Sequence, residues 1–452
     1  MALFDGLRAR VGAGRGRIAG AGPAIAERWT ASDTAGARAP RRWDSGLPRF
    51  RSTASDQIEP HLTDPLASVR ISLRNAFTPS KPISDQRVFA GRMNTLTSLI
   101  RSIEDQQLHV VVHGERGIGK TSVLNILAEA AVAARYLQVY ISCGERSNFD
   151  EIVRAVAGRI PLLYVSGFGP THAETEKGGT LGDLLEPGAI STRMAADMLA
   201  KVSGTRVLLF LDEFERCESV EFRTQIAELM KDLSDRSARV QLVVAGIASD
   251  LTELMEAIPS IQRSIYALEL PRMSGDEVRQ LVSKGEKVGG VTFRAPATDL
   301  IVSLAAGFPY LASLLAHHSA LAALDGGRTS VVRDDVATAA EGALEELKSR
   351  LSRRSQWHIE ETVRGGGLAA LGAIAAAAQS ASGRFTPEDI ASRAVSVEQR
   401  DLQLQMAEAL ARDGALLKEA NDEYGKGYNF IEPSVPPYLW LLALKAKEGA
   451  PA

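Results

Sequence analysis

Residues 108–122 read LHVVVHGERGIGKTS. The apolar, valine-rich run at 108–113 is short enough and β-branched enough to be a buried strand. The pattern G-x-x-x-x-G-K-T follows at once, from Gly114 to Thr121, and helix-forming sequence continues from Lys120 to about residue 134. Strand, glycine-rich turn and helix form the context this motif needs to count. Gly114, Gly117 and Gly119 let the backbone curl, so that amides across Glu115, Arg116, Gly117, Ile118 and Gly119 point at phosphate oxygens. The helix N-terminus adds partial positive charge. Lys120 is placed to reach β- and γ-phosphates and Thr121 to hold Mg²⁺, with Ser122 next in the same turn.

Working outward, residues 207–213 read VLLFLDE. A continuous apolar strand is what a central parallel position requires, and it delivers Asp212 and Glu213 to its carboxyl end, where ligands bind in open α/β sheets. Asp212 is the second candidate for the Mg²⁺ shell, and Glu213 the group that would polarise an attacking water. Further strands are expected at 137–142, 240–245 and 265–270, separated by helical spacing at 66–77, 95–104, 149–159, 190–202 and 222–233. Strands alternating with helices imply a parallel sheet of βαβ units. Residues 160–190 are glycine-rich, without a period, and read as a loop or insertion.

The texture changes near residue 273. Ser274-Gly275-Asp276-Glu277 is a capping-box pattern, and nearly everything from there to about residue 351 reads as helix. Beyond it come a helix at 367–380, a helix start at Phe385-Thr386-Pro387-Glu388, a third helix to about Arg412 with Gly414 as its stop, and segments 415–419 and 428–431 flanking a polar turn. Three helices and a hairpin make a winged-helix module. The fold class is therefore α/β: a parallel-sheet, additional-strand NTPase core at 64–272, an α-helical lid at 273–355 and a winged-helix domain at 356–452.

The 452 residues are 45% hydrophobic and 24% charged, ordinary for globular protein, and the formal net charge of −3 gives no global pull toward nucleic acid or anionic membrane. No apolar run approaches the roughly 18 residues that crossing a bilayer needs. The two cysteines, Cys143 and Cys217, have neither metal-site nor disulfide-framework spacing, which fits a reducing, cytoplasmic compartment. Residues 1–63 differ: arginines such as Arg8, Arg10, Arg15 and Arg17 stand among Gly, Ala and Pro, the composition of a disordered basic tail or of a transit peptide, with the tail favoured.

Taken together, VFAGR at 88–92, the phosphate loop, Asp212-Glu213, SIQR at 260–263 and GFP at 307–309 resemble P-loop ATPases of the AAA+ and STAND groups, in particular the origin-recognition-like AAA+ domains. The resemblance spans roughly residues 66–440. It implies ATP rather than GTP, with residues 88–92 near the adenine: Phe89, Gly91 and Arg92 join the cofactor-binding candidates, although Phe89 serves plain core packing just as well. It implies that Arg263 acts across a subunit interface as an arginine finger, against the alternative of a solvated helix-end arginine. It implies that Pro309 approaches the nucleotide. Two departures stand out: Tyr310 follows Pro309 where the family carries a lid arginine nearby, and the γ-phosphate sensor after the strand at 240–245 is reduced to a late Ser249.

The function expected is an ATP-binding, slowly hydrolysing switch that couples nucleotide state, with Mg²⁺, to the winged helix, which engages a protein partner or the rest of the chain; self-association follows if Arg263 is a finger. The alternative is a DNA-associated ATPase, such as a replication or transposition helper. The basic tail and the patch Lys348, Arg350, Arg353 and Arg354 favour that alternative. The third helix opposes it, because Glu398, Asp401 and Glu408 offset Arg400 and Arg412.

Overall fold

The computed structural model describes residues 65–79, 81–115, 117–167, 178–217, 219–246, 259–380, 384–420, 425–432 and 434–448. The expectations for the tail at 1–63, for Arg116 and for Ser249 lie outside them. Strands β1 (His109–His113), β3 (Val207–Asp212) and β4 (Val240–Gly246) are buried almost end to end, whereas β2 (Leu137–Ser142) buries only Val139 and β5 (Ile265–Glu269) is half-buried to exposed throughout. The sequence difference is visible: VLLFLD has no polar residue before its end, and LQVYIS does. Accordingly the order is β2-β3-β4-β1-β5, all neighbours parallel, with the less buried strands at the edges.

Alternate residues of the central strands feed two cores. Val110, Val112, Leu208, Phe210 and Val243 face helices α2 (Met93–Glu104) and α3 (Lys120–Ala133). Val111, Leu209, Leu211, Leu242 and Val244 face α4 (Phe149–Ala157), α5 (Thr192–Leu199) and α6 (Val220–Asp235). The polar side chains buried near the starts of β1 and β4 are both satisfied. Gln241 Nε2 donates to the carbonyls of Ile103 and Leu108 at 2.8 and 3.2 Å. His109 Nδ1 accepts from the Leu242 amide at 2.9 Å while Nε2 meets the Met230 carbonyl at 2.8 Å, which sets the tautomer. Burial lowers that imidazole to about 4, so it stays neutral. The glycine-rich insertion packs too: Ile160, Val165 and Leu181 are buried, and Pro161 bridges Thr180.

The lid comprises α7 (Gly275–Gly289), α8 (Ala295–Ala305), α9 (Pro309–Asp325) and α10 (Arg333–Ser349). Ser274 caps α7 as its sequence required: Ser274 Oγ accepts from the Glu277 amide at 3.2 Å, and Glu277 Oε2 from the Ser274 amide at 2.8 Å. Two features differ from the sequence reading. A two-residue parallel pair, β6 (Thr292–Phe293) with β7 (Ser330–Val331), lies within the helical region. In addition α1 (Pro65–Ala76), read as part of the core, packs on α7 and α9 of the lid. The reason is local. Gly285 and Gly289 of α7 leave a groove that Phe77 and Leu73 fill, so closely that a Cβ at 285 would stand 2.2 Å from the Phe77 ring.

The C-terminal region comprises α11 (Arg353–Arg364), α12 (Leu368–Ser380), β8 (Arg384–Phe385), α13 (Pro387–Ala391), α14 (Val397–Arg412), β9 (Leu417–Glu419), β10 (Tyr428–Phe430) and α15 (Val435–Glu448). Strand β8, too short to show a period, completes an antiparallel sheet in the order β8-β10-β9. Helix α15 packs on α12 and reaches back to α10, where Lys445 Nζ meets Glu341 Oε1 at 2.9 Å.

Core and lid meet at residues 270–274 and 305–309, where the Met273 amide donates to the Gly307 carbonyl at 2.9 Å. Gly307 has φ +81°, and a Cβ there would stand 2.4 Å from the Met273 carbonyl oxygen. Both the backbone conformation and the collision oppose any side chain. Gly307→Ala is therefore expected to cost about 1–3 kcal/mol, read as a lower urea midpoint with an unchanged slope.

Candidate functional site

A cleft of about 490 Å³ opens at the carboxyl ends of β1 and β3. One wall is the loop after β1: Gly117, Gly119, Lys120, Thr121 and Ser122 border the cleft. Gly117 and Gly119 take φ of +81° and +97°, the left-handed conformations that let the loop curl ahead of the first turn of α3. Ile118 is buried and pins the loop to the core, while Gly114 lies against the Leu270 carbonyl. Lys120 Nζ donates to the carbonyls of Gly114 and Glu115 at 2.8 and 3.2 Å, so the ammonium is folded over the loop.

The opposite wall is the end of β3 and its following turn. Asp212 is buried, its Oδ2 accepting from Tyr140 Oη at 2.7 Å and its Oδ1 from the Glu213 amide at 2.9 Å. Burial and the neighbouring Asp212 push the Tyr140 hydroxyl far above its ordinary value, so it acts as a donor. Glu213 holds a left-handed conformation, φ +54°. Its Oε2 accepts from Ser142 Oγ at 2.9 Å and from Arg216 Nη1 at 2.7 Å. Tyr140, Ser142 and Arg216 were not singled out from sequence. The parallel register Tyr140↔Phe210 and Ser142↔Asp212 is the signal that finds the first two, and it requires knowing that β2 is the neighbour of β3.

The remaining border is the connector 78–83 with Val88, facing Leu281, Pro309, Tyr310 and Ser313 of the lid. The Ile83 amide donates to Ser122 Oγ at 3.0 Å and Asn125 Nδ2 to the Ile83 carbonyl at 3.3 Å, which fastens the connector to α3. Pro309 borders the cleft from the lid side. Phe89, Gly91 and Arg92 do not border the cleft. Phe89 is buried in the core, a Cβ at Gly91 would collide with Glu277, and the buried Arg92 guanidinium donates to the Pro271 carbonyl. These residues brace core against lid, and Val88 alone of the 88–92 stretch reaches the cleft. Arg263, itself exposed, ends a 3₁₀ turn, Pro259–Arg263, before β5 and does not border the cleft.

The lid turn has arginines that sequence distance concealed. Arg272 stacks 4.5 Å from the centroid of the Phe308 ring and meets Glu115 Oε1 at 3.2 Å. Arg350, forty residues after Tyr310, donates to its hydroxyl at 2.6 Å.

A family model described as Novel STAND NTPase 1 matches residues 76–324. The chain belongs to the novel STAND NTPase 1 family. Comparison with curated proteins found no match. Among solved structures, Cdc6p from Pyrobaculum aerophilum is similar at 17% identity, over 83% of this chain and 98% of its own, with a TM-score of 0.44. ORC1 of Aeropyrum pernix, solved in complex with DNA, is similar at 16% identity over 82% and 95%, with a TM-score of 0.40. The Walker-type ATPase PABY2304 of Pyrococcus abyssi is similar at 16% identity over 80% and 98%, with a TM-score of 0.45.

In this STAND NTPase the residues present fit a nucleotide with its cation. Loop amides, an ammonium, a hydroxyl and a carboxylate border one cleft. Thr121 and Asp212 border this cleft and would hold a cation together with phosphate oxygens. No helix among the described residues is long and apolar enough to cross a membrane.

Glu115 stands apart electrostatically. Burial, partly offset by Arg272, raises its carboxyl from 4.5 to about 7, and burial also lowers Arg272. Both shifts favour the neutral forms, so desolvation outweighs the attraction between the partners. Between pH 4.5 and 7 the folded chain then holds a proton that the unfolded chain has released. Stability from this group is fully present below about 4.5 and is lost as pH rises through about 7. In nucleotide-free protein, the urea midpoint of Glu115→Gln should fall less than that of wild type between pH 4.5 and 7.5; parallel midpoints would remove Glu115 as the source.

Proposed function

We propose that this STAND NTPase is an ATP-binding, slowly hydrolysing switch that couples nucleotide state to its C-terminal module. The observation carrying the reading is that loop, catalytic acids and lid turn share one cleft: a Cβ on Gly117 would lie 3.9 Å from Tyr310 and one on Gly119 3.9 Å from Pro309. A ligand seated on the loop is therefore felt by the lid. In this reading Lys120 and the loop amides hold the phosphates, and Thr121 with Asp212 holds Mg²⁺, which offsets phosphate charge. Glu213 orients the attacking water. Val88, Leu281 and the connector 78–83 take the adenine in place of Phe89, Gly91 and Arg92.

The C-terminal module is read as a winged helix, supported by the order α12-β8-α13-α14-β9-β10 and the sheet β8-β10-β9. Its partner is proposed to be a protein in the cytoplasm. The basic patch that favoured DNA is largely engaged within the chain. Lys348 pairs with Glu360 at 2.8 Å, Arg350 with Glu346 and Tyr310, and Arg354 Nη2 with the Asp413 carbonyl at 3.2 Å. Arg263 is exposed and does not border its own cleft, and its action as an arginine finger on a second copy, with the self-association that implies, belongs to the same proposal.

The test is ATP turnover by purified protein across a range of concentrations, with and without DNA. Lys120→Ala should abolish ATP binding. Glu213→Gln should keep binding and lose roughly 100-fold or more in turnover. DNA should leave the rate unchanged; DNA stimulation lost with added salt would favour the DNA-associated reading instead. ATP binding that survives Lys120→Ala intact would sink the site assignment.

A further inference from the structure

The turn after β3 carries a cation at the heart of the cleft. Arg216 borders the same cleft as Gly117, Lys120 and Thr121. Its Nη1 donates to Glu213 Oε2 at 2.7 Å, the oxygen that also accepts from Ser142 Oγ at 2.9 Å. The root of this side chain is fixed. The Arg216 amide donates to the Glu213 carbonyl at 2.9 Å, and Phe214 between them is fully buried, its ring 5.8 Å from that of Phe222. The guanidinium itself is free to swing, because the Arg216 side chain is 57% exposed. A solvent-screened pair of this kind is weakly held. A terminal phosphate on the loop offers more negative charge than one carboxylate, and oxygens spaced for a guanidinium fork.

We propose that Arg216 reads the terminal phosphate in cis: it rests on Glu213 when the cleft holds no γ-phosphate and transfers to that phosphate when ATP is bound, releasing Glu213 Oε2 toward the water it orients. The inference rests on the ATP-site reading above and gives that site a sensor for which the sequence offered only Ser249. Asp212 cannot compete for the guanidinium on equal terms, since Tyr140 and the Glu213 amide already engage both its oxygens. Lys81 also borders the cleft, from the connector, but Arg216 is bonded to the acid that must be released.

The experiment measures affinities for Mg-ADP and for the imido analogue of Mg-ATP in wild type, Arg216→Ala, Arg216→Lys, Glu213→Gln and the Arg216→Ala/Glu213→Gln double variant. Arg216→Ala should cut the preference for triphosphate over diphosphate by about tenfold with ADP affinity unchanged, which also shows that the variant is folded. Arg216→Lys should restore part of the preference. Glu213→Gln removes the competing carboxylate, so it should strengthen triphosphate binding when Arg216 is present and not when it is absent. An Arg216→Ala variant with the wild-type preference would overturn the inference, as would an effect of Glu213→Gln that is the same with and without Arg216; in both cases the ATP site stands. Wild type that binds neither nucleotide would overturn the ATP-site reading and this inference together.

Discussion

A strand covered on both faces has no place for a polar side chain except at its end, and the cleft follows from that constraint. β3 is apolar and buried up to its last residue, and β1 and β4 admit polar side chains only near their ends, so Asp212 and Glu213 appear where β3 stops. Parallel pairing puts the carboxyl ends of β1, β3 and β4 at one edge of the sheet, and the loop after β1 curls over that edge. The acids and the phosphate loop therefore meet without any contact designed between them. Edge strand β2, free to carry polar residues, brings Tyr140 and Ser142 to the same edge as donors to both carboxylates.

The second layer of control is the way the lid is tied down. It is anchored from three directions: α1 fills the groove at Gly285 and Gly289, Arg92 reaches the Pro271 carbonyl, and Arg272 links Glu115 to Phe308. The last tie is the costly one. Its partners are each about one quarter exposed or less, and burial pushes each toward its neutral form. The loop and the hinge are packed around this pair, which makes it a place where a charged ligand on the loop changes the balance.

Much of this was legible locally. The strands, the phosphate loop, the Ser274 capping box, Thr386 with Pro387 at a helix start and Gly414 at a helix end each announce themselves within a few residues of sequence. What escaped is of two kinds. β6, β7 and β8 are two residues long, too short for any period, and exist because tertiary packing brings their partners alongside. Tyr140, Ser142 and Arg350 reach the site laterally or from far along the chain, so no window of sequence contains both partners. The misplacement of Phe89, Gly91 and Arg92 has a different cause. Of the segment that the resemblance singled out, only Val88 borders the cleft, and the others are taken up by the core and the core–lid contact.

The exposure of the ion pairs argues for where movement starts. Glu213–Arg216 is solvent-screened on both sides, at 42% and 57% side-chain exposure, whereas Arg272 and Glu115 are at 26% and 17%. Exposed pairs exchange partners readily, because water compensates the group left behind; a buried pair does not, because the abandoned charge has nowhere to go. A nucleotide entering the cleft should therefore rearrange the turn after β3 first. The hinge at 270–274 would follow only if the charge at the loop becomes large enough to draw Arg272 from Glu115, the order of events that the proposed switch requires.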